Sequence, residues 1–186
     1  MKHIERVCDW ALQSELEMEY HNTVWGRPEH NDRQLFRMLI LEGQQAGLSW
    51  VTILKKIKAF DEAYDYFDPK IIADYDEEKV KSLMENAGII RNQRKIRSAI
   101  QNAKAFFPVV EEFGSFDAYL WGFVDGKPII NHFKTPEEVP ANTPLSDEIS
   151  KDLKKRGFNF VGSTIIYAYM QAIGMVNDHL VDCPCH

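Results

Sequence analysis

Cysteine is scarce in this chain, with 3 in 186 residues, at Cys8, Cys183 and Cys185. So small and odd a number, without an export signal, argues against a disulfide framework and leaves metal ligation or free thiols. Nor is there an apolar run of the roughly eighteen residues that a membrane-spanning helix needs. The first twenty positions carry Asp9, Glu15, Glu17 and Glu19 where a secretory signal would be apolar, so a cytoplasmic protein without membrane attachment is expected. Internal repeats and low-complexity tracts are lacking, which argues against a solenoid or a linker-rich array. Positive charge is not in excess either: 22 Lys and Arg stand against 28 Asp and Glu, a net charge of -6. Any contact with nucleic acid would have to come from one face and not from a general basic coat.

What the chain does have is material for a core, at 45% hydrophobic and 12% aromatic residues. One packed domain over residues 1–186 is the expectation. Its periodicity is helical. Leu35, Phe36, Leu39 and Ile40 recur at helix spacing before Gly43, and Val51, Ile53, Leu54, Ile57 and Phe60 do so after Ser49, a candidate N-cap. Further helices are predicted over Glu77–Asn86, Asn92–Phe107, Phe116–Phe123, Ser146–Lys155 and Ser163–Ile173. Between Asp125 and Pro144 the pattern lapses into a Pro-containing surface connection, and no strand-like alternation persists. The fold class is therefore read as all-α.

The two ends hold a matched set of metal-binding side chains. Cys8 precedes His21 by twelve intervening residues, and His179 precedes Cys183 by three. Two thiolates and two imidazoles suit a tetrahedral Zn²⁺ with no open position, hence a structural ion. Helical spacing would put His179 and Cys183 on one face, one turn apart, and the ion would tie the first twenty residues to the last ten. Cys185 competes for the fourth place, but it lies beyond Pro184.

The segment LEGQQAGLSW, Leu41 to Trp50, places Glu42 inside an apolar helix pattern, with Gly43 and Gly47 around a turn and an exposed Leu48 before Trp50. A buried carboxylate is costly unless paired, so Glu42 is either a structural cap or part of a site. Tyr20 and Trp25 add rings close to His21; they either pack in the core or line the same site. Together these residue types suit an extruded purine, held against π-faces and identified at its edge. A carboxylate beside electron-rich rings would prefer a base made cationic by alkylation.

Long stretches carry a resemblance: YHNTVWG (20–26), LEGQQAGLSWVTILKK (41–56), NAGIIRNQRKI (86–96) and KKRGFNFVGSTIIYAYMQAIGMVNDH (154–179), with Cys183 beyond them. They resemble type I 3-methyladenine DNA glycosylases, bacterial alkylation-repair enzymes of the helix-hairpin-helix superfamily, over nearly the whole chain. The resemblance implies a single-domain helix-hairpin-helix fold. It also implies a structural zinc on Cys8, His21, His179 and Cys183, and a base pocket of Tyr20, Glu42 and Trp50. Both rings would stack on the base and Glu42 would recognise it. Gly47 and Leu48 would fill the gap left by the flipped nucleotide. The implied activity is hydrolysis of the N-glycosidic bond of 3-methyladenine in double-stranded DNA, leaving an abasic site, by a monomer.

The hairpin is read as GFNFVGS (157–163) within residues 146–173. Gly162 allows close backbone approach, and Ser163 opens a helix whose free N–H groups face any phosphate. Lys154, Lys155 and Arg156, with Arg91, Arg94 and Lys95, are candidate phosphate contacts; the alternative is a solvated helix face. Many superfamily members use an aspartate after the hairpin, which type I enzymes lack. Asp178 lies near that place and is expected to serve the metal site or a helix end. A monofunctional hydrolase without a Schiff base follows. Two other classes fit parts of this pattern: a DNA-binding module that recognises damage without cutting, and a small-molecule purine binder.

Overall fold

The computed structural model describes residues 6–186, so the first five positions of the expected 1–186 domain lie outside the described residues. Helical periodicity becomes helix almost wherever it was read. Along the described residues run α1 (Glu15–Thr23), α2 (Asp32–Gln45), α3 (Trp50–Ala63), α4 (Pro69–Ala73), α5 (Glu77–Glu85), α6 (Gln93–Phe113), α7 (Phe116–Trp121), α8 (Pro144–Lys155) and α9 (Ser163–Ala172). Polar caps start most of them: the side chains of Ser14, Asn31, Asp76, Asn92, Ser115 and Thr143 each accept a first-turn N–H. Ser49 does stand before α3, but its hydroxyl meets Thr52 Oγ1 at 2.8 Å instead of capping a backbone N–H.

The core is built around α2. This helix packs against α3, α6, α7 and α9, which is why Leu35, Phe36, Leu39 and Leu41 are buried to 1% exposure or less. A helix surrounded on so many sides has little polar face, and Glu42 is carried inward with the apolar residues. It also runs through Gly43, where a side chain would press on Phe160 Cβ at 3.2 Å. The absent Cβ lets the 157–162 loop close down on α2.

Three differences from the sequence reading have physical causes. Helix α6 continues past Pro108 to Phe113, because a single lost N–H is outweighed by burial of Phe106 and Val109 on either side. Helix α1 was not expected; its capped start at Ser14 precedes a stretch with little amphipathic pattern. The all-α reading becomes mostly helical, since β1 (Ile129–Ile130) pairs in parallel with β2 (Val176–Asn177), Ile129 opposite Val176. Strands of two residues are too short to show alternation.

The hairpin read over 146–173 is observed as α8, a loop and α9, which pack against each other. Asn102 braces the loop reciprocally: its Nδ2 donates to the Asn159 carbonyl (3.0 Å) and its Oδ1 accepts from the Asn159 N–H (2.8 Å). Beyond α9, Gly174 adopts φ +72°, and a Cβ there would fall 2.1 Å from the Arg27 carbonyl carbon. The chain before α2 crosses the end of α9 at this point.

Candidate active site

A cavity of about 490 Å³ is bounded by α1, α2, the start of α3, α9 and the Pro136–Pro140 stretch. Its walls include Tyr20, Glu42 and Trp50, so the three residues expected to form a pocket do share one. The Tyr20 and Trp50 rings lie 5.3 Å apart, tilted by 49°. Rings in mutual contact cannot sandwich a base between them. The expected stack becomes two adjoining walls.

Glu42 is 4% exposed, and burial alone pushes its carboxyl up to about 8. Among the described residues no donor offsets that burial. Trp50 Nε1 is also buried without a hydrogen-bond partner. A buried carboxyl on a cavity wall is a place where a cationic or hydrogen-bonding guest is favoured. Tyr20 is likewise raised well above the usual tyrosine range, first by burial and then by the nearby Glu42.

The expectation for Asp178 is corrected. It lines the cavity, 1% exposed, because the β1–β2 pairing leads the chain from α9 along the cavity wall. Its carboxylate accepts from Asn131 Nδ2 (2.6 Å), Gln171 Nε2 (2.9 Å) and the Tyr167 hydroxyl. Sequence reading also missed Trp10, Glu17, Gln45 and Gln171 as wall residues. Glu17 had a local explanation in the Ser14–Glu17 cap, where Ser14 Oγ donates to its carboxylate at 2.8 Å, and nothing in the sequence placed it on a cavity.

Behind Trp10 and Trp25, Cys8, His21, His179 and Cys183 converge, all buried, with ligand atoms within 4.8 Å of one another. Cys8 Sγ and Cys183 Sγ lie 3.8 and 3.7 Å from His179 Nδ1, and Cys183 Sγ lies 3.5 Å from His21 Nε2. The two inner nitrogens are 3.1 Å apart. A tetrahedron with zinc-like bond lengths has ligand–ligand edges of about 3.3–3.8 Å. The outer nitrogens settle the tautomers: His179 Nε2 donates to the Trp25 carbonyl and His21 Nδ1 to Asn22 Oδ1, each at 2.8 Å. Both inner nitrogens therefore present lone pairs to each other, an arrangement that a cation relieves. Burial holds the Cys8 thiol up at about 12 and His179 down at about 4, so the imidazole stays neutral and able to ligate.

Cys185 is not in this group; its backbone N–H donates to Cys183 Sγ at 3.5 Å. The expected helical turn from His179 to Cys183 is corrected to a non-helical loop, closed by Cys183 N–H on the Leu180 carbonyl at 2.8 Å. A backbone bond from Arg6 to the Asp182 carbonyl (3.0 Å) adds a second link between the chain's ends.

A family model described as methyladenine glycosylase matches residues 10–186. The chain belongs to the methyladenine glycosylase family. DNA-3-methyladenine glycosylase 1 of Escherichia coli (strain K12) is 46% identical over 179 residues, 96% of each chain. A crystal structure of 3-methyladenine DNA glycosylase I (TAG) superposes with TM-score 0.94 at 48% identity, over 97% of this chain and 100% of the other. A point variant of 3-methyladenine DNA glycosylase I, solved in complex with 3-methyladenine, gives TM-score 0.93 at 32% identity over 96% of both chains.

In this methyladenine glycosylase, the basic residues expected to meet phosphate divide into two groups. Lys154, Lys155, Arg91 and Arg94 are exposed. Arg156 is not free: its guanidinium pairs with Glu112 (2.6 Å) and Asp152 (2.7 Å) and lies over the rings of Phe113 and Tyr119. Lys95 is 5% exposed and bound to backbone carbonyls. Both cations are thus engaged within the fold, Lys95 buried and Arg156 partly exposed. At the hairpin, Gly162 caps α9 without a side-chain bond, leaving first-turn N–H groups available. The Ser163 hydroxyl donates to Asp147 Oδ1 at 2.5 Å, so an anion there would meet backbone and not the hydroxyl. Gly47 and Leu48 stand exposed on the turn between α2 and α3.

Proposed function

We propose that this chain hydrolyses the N-glycosidic bond of 3-methyladenine in alkylated double-stranded DNA and leaves an abasic site. The observation that carries this reading is the unpaired, buried Glu42 carboxyl in a ring-walled cavity, in a chain whose relatives are named for that reaction. Methylation at N3 makes the adenine cationic. Its entry supplies the charge partner that Glu42 lacks, lowers the carboxyl from about 8 and releases its proton to solvent. Neutral adenine offers no such compensation, so the same buried charge discriminates the lesion from the normal base.

The cationic base is a good leaving group. As its bond to C1′ breaks, water adds to C1′, one proton is lost, and positive charge develops on the sugar, which Glu42 would stabilise. Tyr20 and Trp50 supply walls against the base face. Among the described residues that wall the cavity none is a lysine, which fits hydrolysis without a Schiff base.

The Cys8, His21, His179 and Cys183 set suits a structural zinc, whose four protein ligands would leave no position for water. Bound there, the ion would contribute stability alone, anchoring Trp10 and Trp25 on the cavity wall. For DNA we infer a helix-hairpin-helix grip. The α9 N-terminus and Gly162 would meet the phosphate backbone, Lys154 and Lys155 would add charge, and Leu48 on its Gly47 turn would replace the extruded nucleotide.

The test is incubation with methylated duplex DNA followed by chromatography of the released bases. Free 3-methyladenine is expected. Tight binding to methylated duplex without any released base would reduce the protein to a damage sensor.

A further inference from the structure

Lys95 occupies a position that its own helix does not favour. It is the third residue of α6, where a positive charge opposes the helix dipole, and it is buried, where an ammonium loses hydration. The compensation comes from another element. Its Nζ donates to the Gln44 carbonyl and to the Ala46 carbonyl, both at 2.7 Å, at the C-terminal end of α2. Gln44 Nε2 returns a bond to the Lys95 carbonyl (3.2 Å), which Ser98 Oγ also holds (2.6 Å).

The turn that Lys95 grips has a defined geometry. Ala46 at φ -46° and ψ 120°, followed by Gly47 at φ +77°, is a type II turn over residues 45–48, closed by Leu48 N–H on the Gln45 carbonyl at 2.7 Å. Types I and II differ in which way the central peptide faces, here the Ala46 carbonyl and the Gly47 N–H. Lys95 holds that carbonyl. The same turn presents Leu48, 39% exposed, at one end and Gln45, a cavity wall residue, at the other.

We infer that Lys95 is a positioning residue for base extrusion: its ammonium fixes the central peptide of the 45–48 turn and so aims Leu48 at the gap in the duplex. This rests on the reading of Leu48 as the residue that fills that gap. Losing Lys95 frees the peptide to flip and misaims Leu48, while Glu42, Tyr20 and Trp50 keep their places. Excision from duplex therefore suffers and recognition of a free base does not.

A double-mutant cycle separates these ideas. Single-turnover excision from methylated duplex is measured for Lys95→Met, Leu48→Ala and the double variant, alongside binding of free 3-methyladenine by tryptophan fluorescence. Each single variant should excise about tenfold more slowly, and the double variant no more slowly than the worse single, because both act through one turn. Free-base affinity should stay within about twofold in all three. Losses that multiply, an unchanged rate for Lys95→Met, or free-base binding that falls as far as excision would overturn the assignment while leaving the Leu48 reading intact. Wild-type excision by Leu48→Ala would overturn the Leu48 reading and this one with it. Should Lys95→Met fail to fold, Lys95→Gln, which keeps one donor, takes its place in the same cycle.

Discussion

Replacing Glu42 by Gln removes a charge and keeps the side chain's shape, so stability and activity should move in opposite directions. Burial raises the Glu42 carboxyl from 4.5 to about 8. Ionising it is harder in the folded protein than in the unfolded chain, which makes Glu42 a destabilising group. Its penalty is absent below pH 4.5, grows as pH rises and is complete above about pH 8. From the linkage of the two values, wild type carries about 1 kcal/mol of this penalty at pH 5.5 and about 4 kcal/mol at pH 8. The glutamine variant escapes it at every pH. Its stability relative to wild type should therefore improve by about 3 kcal/mol between those two conditions, or roughly 6–12 °C in Tm for a domain of this size. Excision from methylated duplex at neutral pH should meanwhile fall about 10²- to 10³-fold, as expected when a transition-state charge partner is removed. Paired calorimetry and base-release assays check both halves. A Tm difference that is the same at pH 5.5 and pH 8, or excision near the wild-type rate, would refute the argument that an unpaired buried carboxyl drives recognition.

Other variants carry expected outcomes of their own. Cys8→Ala should abolish bound zinc in elemental analysis and lower Tm by more than about 10 °C, whereas Cys185→Ala should change neither, since Cys185 lies outside the ligand set. Trp50→Ala should reduce kcat/KM for lesion excision about 10- to 100-fold by removing a wall for the base, with the salt dependence of DNA binding unchanged. Lys154→Ala and Lys155→Ala should each flatten the dependence of log affinity on log salt by about one in titrations against duplex DNA. Arg156→Ala should leave that slope alone and lower Tm instead, because it breaks pairs with Glu112 and Asp152. Gly174→Ala should fail to accumulate as folded protein, since its Cβ would overlap the Arg27–Pro28 backbone; a soluble variant with wild-type circular dichroism would contradict the crossing at that point.

Much of the site was legible because its signals are local. Glu42 stood out as an acid within an apolar helical pattern, and the same burial that made it conspicuous sets its carboxyl at about 8. Ligand chemistry singled out Cys8, His21, His179 and Cys183, which do converge. The route differed, however. The expected helical turn from His179 to Cys183 is a loop, because two or more backbone paths bring residues at that spacing together.

The amino-acid pattern alone determined which segments coil, which face of each helix is apolar, and which side chains can ligate a metal or hold a cationic base, since these follow from periodicity and side-chain chemistry. Tertiary structure decided where the cations went. Arg91, Arg94, Lys95, Lys154, Lys155 and Arg156 are equivalent as sequence, yet Lys95 ends on the carbonyls of α2 and Arg156 between two carboxylates and two rings. It also brought Asp178 to the cavity and set Tyr20 against Trp50 as adjoining walls. Each of these outcomes depends on groups far apart in the chain, whose contact no local pattern encodes.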